Sequence, residues 1–279
     1  MKQWLFLLLQ YLLPHHALSR LIGQIAHCRW RWLSQLCIRA FCKWYPVNLA
    51  EAQLEAIPDY PSLQDFFIRE LKPNARTFPT DPKAIISPVD GNVSELGHID
   101  QQTLIQAKGK HYTTAALLGC HDRAAAFTNG QFMTIYLAPA DYHRVHMPIS
   151  GRLTQMTYIP GRLFSVQPAT MQQIDGLLTR NERVICYFDT VYGPIAVILV
   201  GAMIVASMAT AWHGVITPTR CSTIQTWQYT TESITLKTGD PLGYFNFGST
   251  VVLLTNHPDI HWQLPHAPSS NVQLGNIIS

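Results

Sequence analysis

The chain has 279 residues, 47% of them hydrophobic and only 13% charged, about half the charged share of roughly 25% in an ordinary soluble domain. This composition excludes a disordered chain, a collagen and a coiled coil. A mean hydropathy barely above zero argues against a polytopic membrane protein, yet it is high for a freely soluble one and points to contact with lipid. The length suits one large domain or two small ones.

The net charge of +3 is unevenly placed. Lys2, Arg20, Arg29, Arg31, Arg39 and Lys43 fall in the first fifty residues, and no acid precedes Glu51, so all 17 acidic side chains belong to the rest of the chain. Trp4, Trp30, Trp32 and Trp44 share the basic stretch. Basic charge predicts an anionic partner surface, and Trp, which favours the bilayer interface, directs that reading to a membrane rather than to nucleic acid. The apolar run at residues 4–13 ends at Pro14; as a helix it spans about 15 Å of a hydrocarbon core about 30 Å thick, too little to cross. A signal peptide is the rival reading, but no small-x-small cleavage site follows the run.

Helical spacing continues through Leu18, Leu21, Ile22 and Ile25. It then gives a stripe of Leu33, Leu36, Cys37, Ala40, Phe41 and Trp44 opposite Arg31, Gln35, Arg39 and Lys43, ended by Pro46. A purely basic polar face backed by Trp and Phe predicts a helix lying in the membrane interface, in preference to one packed on the protein's own core. The six cysteines show no CxxC spacing and sit in apolar runs, so they read as reduced thiols, buried or facing lipid, in a cytoplasmic compartment.

From Glu51 the pattern changes. SLQDFFIREL is a short helical candidate, and Thr113 to Leu118 is one or two further helical turns. Strands are predicted at Phe132 to Leu137, Leu153 to Ile159, Val184 to Phe188, Ile195 to Val205, Ser222 to Tyr229 and Val251 to Leu254. The expected fold class is α+β, with amphipathic N-terminal helices over residues 1–50 followed by a β-rich domain over residues 51–279.

Three local motifs can carry chemistry. DYHRVHMP places His143 and His146 three positions apart, without the further ligands a metal would need, so no metal site is expected. SPVDGNV places Asp90-Gly91 between β-formers, which is first a hairpin-turn signal, though an Asp there can also orient a histidine. FNFGSTVVLL puts Gly248-Ser249 at the mouth of an apolar strand, either as a capped turn or as a nucleophile. Phosphate-loop, dinucleotide, nucleophile-elbow and H-E-x-x-H motifs are absent.

Taken in order, LQYLLPHHALSRLIG, FFIRELKPNAR, SPVDGNV, AKGKHYTTAALLG, DYHRVHMPISG, YIPGRLFSV, RNERV, VGAMIVASM and FNFGSTVV resemble the bacterial membrane-associated phosphatidylserine decarboxylases over nearly the whole chain. These are pyruvoyl-dependent enzymes that make phosphatidylethanolamine. The resemblance implies self-cleavage at Gly248-Ser249 by a relay of Asp90, His146 and Ser249, leaving chains 1–248 and 249–279 as a heterodimer. It implies that Ser249 becomes the covalent pyruvoyl cofactor, which forms a Schiff base with the substrate amine. It further implies that His143 serves as acid and base in decarboxylation, and that Tyr158, Phe164 and Ser165 line the headgroup site. The implied partners are phosphatidylserine and an anionic membrane surface, with no nucleic acid, and the implied location is peripheral on the cytoplasmic side of the cell membrane. A pyruvoyl decarboxylase of soluble amino acids and a non-enzymatic peripheral membrane protein are the competing readings.

Overall fold

The computed structural model describes residues 10–107, 109–203, 207–217, 222–230, 234–246, 249–264 and 269–279. Its body is a large antiparallel sheet, nine-stranded among the described residues, and the expected α+β class holds. Neighbouring strands run Gln225–Gln228, Gly151–Ile159, Arg183–Thr190, Gly193–Val200, Ser249–Thr255, Gln131–Leu137, Gly91–His98 and Asn271–Val272, with Thr235–Leu236 pairing onto Gly151–Ile159. The strand Ser249–Thr255 is central, and all seven of its residues are buried. That explains its unbroken β-branched and leucine run, since a strand covered on both faces loses the polar alternation of a surface strand. The run expected to extend to Val205 ends as a strand at Val200; residues 204–206 lie outside the described set.

A smaller sheet, Gly214–Val215, Met208–Thr210, Pro241–Phe245 and Arg144–His146, carries the histidine motif against the strand that leads to Ser249. The chain passes from the large sheet to the small one at residues 138–143. It returns at residues 246–248, of which 247 and 248 lie outside the described set. At one end of these two connections Ser249 pairs with Leu137, and at the other the Phe245 N–H donates to the His143 carbonyl at 3.0 Å.

Asp90-Gly91 is not a hairpin turn. It is a bend that enters the strand Gly91–His98, and the residue before it that pairs, Ile86, meets Ile277 near the C-terminus. Gly91 is required by close approach: a Cβ there would lie 2.5 Å from the Tyr136 carbonyl oxygen.

The N-terminal helices, His15–Ala26 and Arg31–Trp44, pack on the short helix Leu63–Phe67 through Ile38, Phe41, Tyr60, Phe66 and Phe67, a cluster separate from the main core. Their orientation corrects the expected stripe. Helix His15–Ala26 turns His15, Ser19, Gly23 and Ala26 inward, while Leu21 and Ile25 face out. Helix Arg31–Trp44 buries Ser34 and Ile38, with Phe41 beside them, and leaves Trp32, Leu36 and Trp44 exposed, Trp44 to 81%. The predicted stripe is thus divided: the body takes Ser34, Ile38 and the Phe41 ring, which meets Phe66 and Phe67 edge-on, and leaves Leu36 and Trp44 outside. Among the described residues no helix is long and apolar enough to cross a membrane. Of the cysteines, Cys186 is buried, Cys28, Cys37 and Cys42 are half-buried and Cys120 is exposed on the body; these five are free, Cys120 departs from the expected burial, and Cys221 lies outside the described residues.

Candidate active site

Ser249 opens the central strand with its side chain fully buried, and its Oγ has no hydrogen-bond partner among the described residues. Buried hydroxyls normally find a partner, and one left unpaired is costly to the fold. Gly248, the other half of the expected cleavage bond, lies outside the described residues.

His143 is also fully buried, its ring 4.4 Å from that of Phe67. Its Nδ1–H donates to the Asp141 carbonyl at 2.8 Å, which fixes the tautomer and leaves Nε2 with a bare lone pair and no partner among the described residues. Burial, assisted by the charge of Arg69, pushes its pKa down to about 3. The turn that presents it is held from both sides: the Ala138 N–H donates to Asp141 Oδ2 at 2.7 Å, and Arg69 Nη2 donates to the carbonyls of Ala140 and Asp141 at 3.1 and 3.2 Å.

His143 therefore binds a proton less readily folded than unfolded, and linkage gives the sign. Below the ordinary pKa of 6.5 the unfolded chain takes up the proton first, so stability is complete above that pH and declines as pH falls from 6.5 towards 3. This one group accounts for about 3 kcal/mol of loss by pH 4. Denaturant unfolding of His143→Gln from pH 7 to pH 4 should show a visibly shallower decline than the native sequence; parallel curves would mean that His143 is not held neutral.

His146 is differently placed. Its Nδ1–H donates to the Gly239 carbonyl at 2.8 Å, and its Nε2 accepts from the Tyr142 hydroxyl at 3.0 Å, with the two rings stacked. Burial lowers its pKa, against smaller upward influences, first the hydrogen bond to Gly239 and then the nearby Asp90 charge. Its backbone N–H donates to Pro88 O at 2.9 Å, which ties the histidine motif to SPVDGNV.

Asp90 itself bonds elsewhere. Arg76 donates to it through Nη2 at 2.5 Å, and the Leu274 N–H donates to Oδ1 at 2.8 Å. Arg76, itself nearly buried, also pairs with Glu51 at 2.7 Å. Asp90 and His146 are thus neighbours without a mutual hydrogen bond, and Asp90, His146 and Ser249 do not form a closed relay in this structure: both His146 nitrogens are taken by Gly239 and Tyr142.

A cavity of about 270 Å³ is lined by Phe41, Tyr45, Phe67, Tyr136, Pro139, Ser165, Val166, Gln167, Ala202 and Met203. It lies between the N-terminal helices and the body. It borders the candidate residues twice, through Phe67, whose ring meets His143, and through Tyr136, whose strand neighbour Thr250 follows Ser249. Of the expected headgroup residues Ser165 lines it. The Tyr158 hydroxyl donates to Glu182 at 2.7 Å, and Phe164 packs under Arg180 and against Tyr11 and His15. Sequence reasoning missed Arg76 and Tyr142 as partners of Asp90 and His146. Both lie inside quoted motifs, but nothing local says which atom each would meet.

Residues 63–278 match the family model of phosphatidylserine decarboxylase, and residues 5–46 match a second model, PSD. The chain belongs to the phosphatidylserine decarboxylase family. It is an enzyme, a decarboxylase of that family. Among its relatives is the phosphatidylserine decarboxylase proenzyme of Ectopseudomonas mendocina, 48% identical over 282 residues that cover 100% of this chain and 98% of the relative. Proteins of the same name from Methylococcus capsulatus and Methylobacillus flagellatus are 46% and 52% identical, covering 97% and 88% of this chain and 94% and 88% of themselves.

Proposed function

We propose that the protein converts phosphatidylserine to phosphatidylethanolamine and carbon dioxide, using a pyruvoyl group made from its own Ser249 by cleavage after Gly248. The observation that carries this reading is the buried, unpartnered Ser249 Oγ at the start of the central strand, in a chain whose relatives are named proenzymes. Such a hydroxyl fits the precursor of the group. In the cleavage step Ser249 Oγ attacks the Gly248 carbonyl as its proton passes to a histidine, and the peptide bond becomes an ester with a free amine. Elimination across Cα–Cβ of Ser249 releases the Gly248 carboxylate, and water then replaces nitrogen as ammonia, leaving a ketone. The pyruvoyl group supplies the carbonyl that engages the substrate amine and the electron sink for loss of carbon dioxide.

The remaining chemistry belongs to side chains. His146 acts as base on Ser249, with Asp90 stabilising the imidazolium. For this the Tyr142 hydroxyl must give up His146 Nε2, and the Asp90 carboxylate must share its Arg76 contact. His143 acts on the substrate: its Nε2 lone pair takes a proton from the headgroup ammonium and returns one to the α-carbon. The incoming carboxylate, a nearby negative charge, raises its proton affinity from the resting value. After cleavage the segment 249–279 stays as a second chain. Ser249–Thr255 occupies the centre of the sheet, Asn271–Val272 pairs with Gly91–Asn92, and the Leu274 N–H holds Asp90. The deciding experiment joins intact-mass measurement with product analysis: two fragments meeting at 248/249 and phosphatidylethanolamine from phosphatidylserine vesicles are expected, and an active preparation of one intact chain would refute it.

The location proposed is peripheral, on an anionic surface. Tyr11, Leu12, Leu21, Ile25, Trp30, Trp32, Leu36 and Trp44 are all exposed, as are Arg20, Arg29, Arg31, Arg39 and Lys43. Large apolar side chains turned outward beside bases are what an interfacial helix presents to lipid. Raising salt from about 0.05 to about 0.5 M should weaken binding to anionic vesicles at least about tenfold, and Trp44→Ser should weaken it at fixed salt. Sedimentation that ignores both changes would count against this placement.

A further inference from the structure

We infer that Gln10 is a positioning residue for the substrate cavity, through which the lipid-facing N-terminal segment holds the loop that lines the headgroup site. The inference rests on the reading that the cavity beside His143 receives the headgroup.

Gln10 is 1% exposed, an unusual place for an amide on a segment whose next two residues, Tyr11 and Leu12, face outward. Its Oε1 accepts from the Ser165 N–H at 2.9 Å, and its Nε2 donates to Met203 Sδ at 3.8 Å. Ser165 and Met203 both line the cavity. One side chain thus grips two parts of the wall that are remote from it in sequence. Three further contacts bind the same loop to the same segment: His16 Nε2 donates to the Gly161 carbonyl at 2.9 Å, and the rings of Tyr11 and His15 each meet Phe164 edge-on at 5.4 Å. Arg180 lies over the Phe164 ring at 4.9 Å.

A buried backbone N–H is costly to leave unpaired. Without the Gln10 carbonyl oxygen, the Ser165 N–H must find another partner, and the loop that carries Ser165 must shift with it. The headgroup site then depends on the docked N-terminal segment even where no membrane is present. Membrane attachment and substrate positioning are coupled through this amide, and the coupling is separable from lipid binding because the lipid-facing side chains of the segment are different ones.

The test uses the full-length self-processed protein with a short-chain, water-soluble phosphatidylserine, alongside sedimentation with anionic vesicles. Gln10→Leu should raise KM for the soluble substrate about tenfold, the size of one buried hydrogen bond, with kcat within about threefold of native and vesicle binding and self-cleavage unchanged. Gln10→Glu, which keeps an acceptor for Ser165, should recover most of the KM. Native KM in Gln10→Leu overturns the inference, as does a loss of activity that only tracks lost vesicle binding, or a Gln10→Glu variant no better than Gln10→Leu. Should Gln10→Leu fail to self-process, Gln10→Glu against Gln10→Lys, which has no acceptor, decides on the same KM readout. Failure of the functional reading itself is distinguishable, because the native protein would then make no phosphatidylethanolamine in the control.

Discussion

Replacing Ser249 with alanine is expected to leave one uncut chain of 31.4 kDa with no decarboxylase activity. Loss of activity from a buried substitution usually admits a trivial explanation, that the variant no longer folds. Here the geometry removes it. Among the described residues Ser249 Oγ makes no hydrogen bond, so alanine breaks none of those and relieves the fold of a buried hydroxyl without a partner there; thermal stability should be equal or slightly higher. The neighbours in the central strand are untouched, because its pairing with Gln131–Leu137 and Gly193–Val200 is made by backbone. Intact mass and a melting curve on one sample settle the matter. A Ser249→Ala chain that still cleaves would place the nucleophile elsewhere, and one that melts well below native would mean that the hydroxyl is structural.

The second large effect separates the two histidines. His143→Ala is expected to self-cleave normally but to lose about 10²–10⁴-fold in turnover, the usual contribution of a positioned proton carrier. His146→Ala is expected to stay uncut, and Asp90→Ala to cleave very slowly. The structure makes this division a demanding one. His143 holds the free nitrogen, and the His146 Nε2 is held by Tyr142. Tyr142→Phe, which removes that hydroxyl, should therefore quicken cleavage if His146 is the base. An uncut His143→Ala chain, with His146→Ala maturing, would transfer the base to His143. Gel analysis of precursor and fragments, followed by lipid product analysis, distinguishes these outcomes.

Much of the architecture is legible in the amino-acid sequence. The buried strands announced themselves as β-branched and leucine runs, because a strand covered on both faces has no polar side to show, and Gly and Pro marked their ends. The two N-terminal helices were legible from 3.6-residue spacing, but not which face turned inward. Periodicity reports that a helix is two-sided. It does not report whether the large apolar side meets protein or lipid, and here the body took Ser19, Gly23, Ser34 and Ile38 while Leu21, Leu36 and Trp44 stayed outside. Asp90-Gly91 misled for a related reason: the dipeptide suits a tight turn, but Gly91 is needed because the Tyr136 carbonyl approaches it, a contact 45 positions away in the chain.

The amino-acid order alone determined the chemical groups available: a serine after a glycine at the entrance to an apolar strand, two histidines three residues apart, an aspartate in a bend, and a basic, Trp-rich first fifty residues. Those are local properties, and local patterns carry them. Only the tertiary structure decided which of these groups is free to react. The partner of His146 Nδ1 is Gly239, those of Asp90 are Arg76 and Leu274, and that of the Ser165 N–H is Gln10. Most of these atoms come from distant parts of the chain, and they meet because the two sheets and the N-terminal helices fold onto one another. A hydrogen bond needs its donor and acceptor within about 3 Å, and no periodicity in the sequence records which remote atom will arrive there.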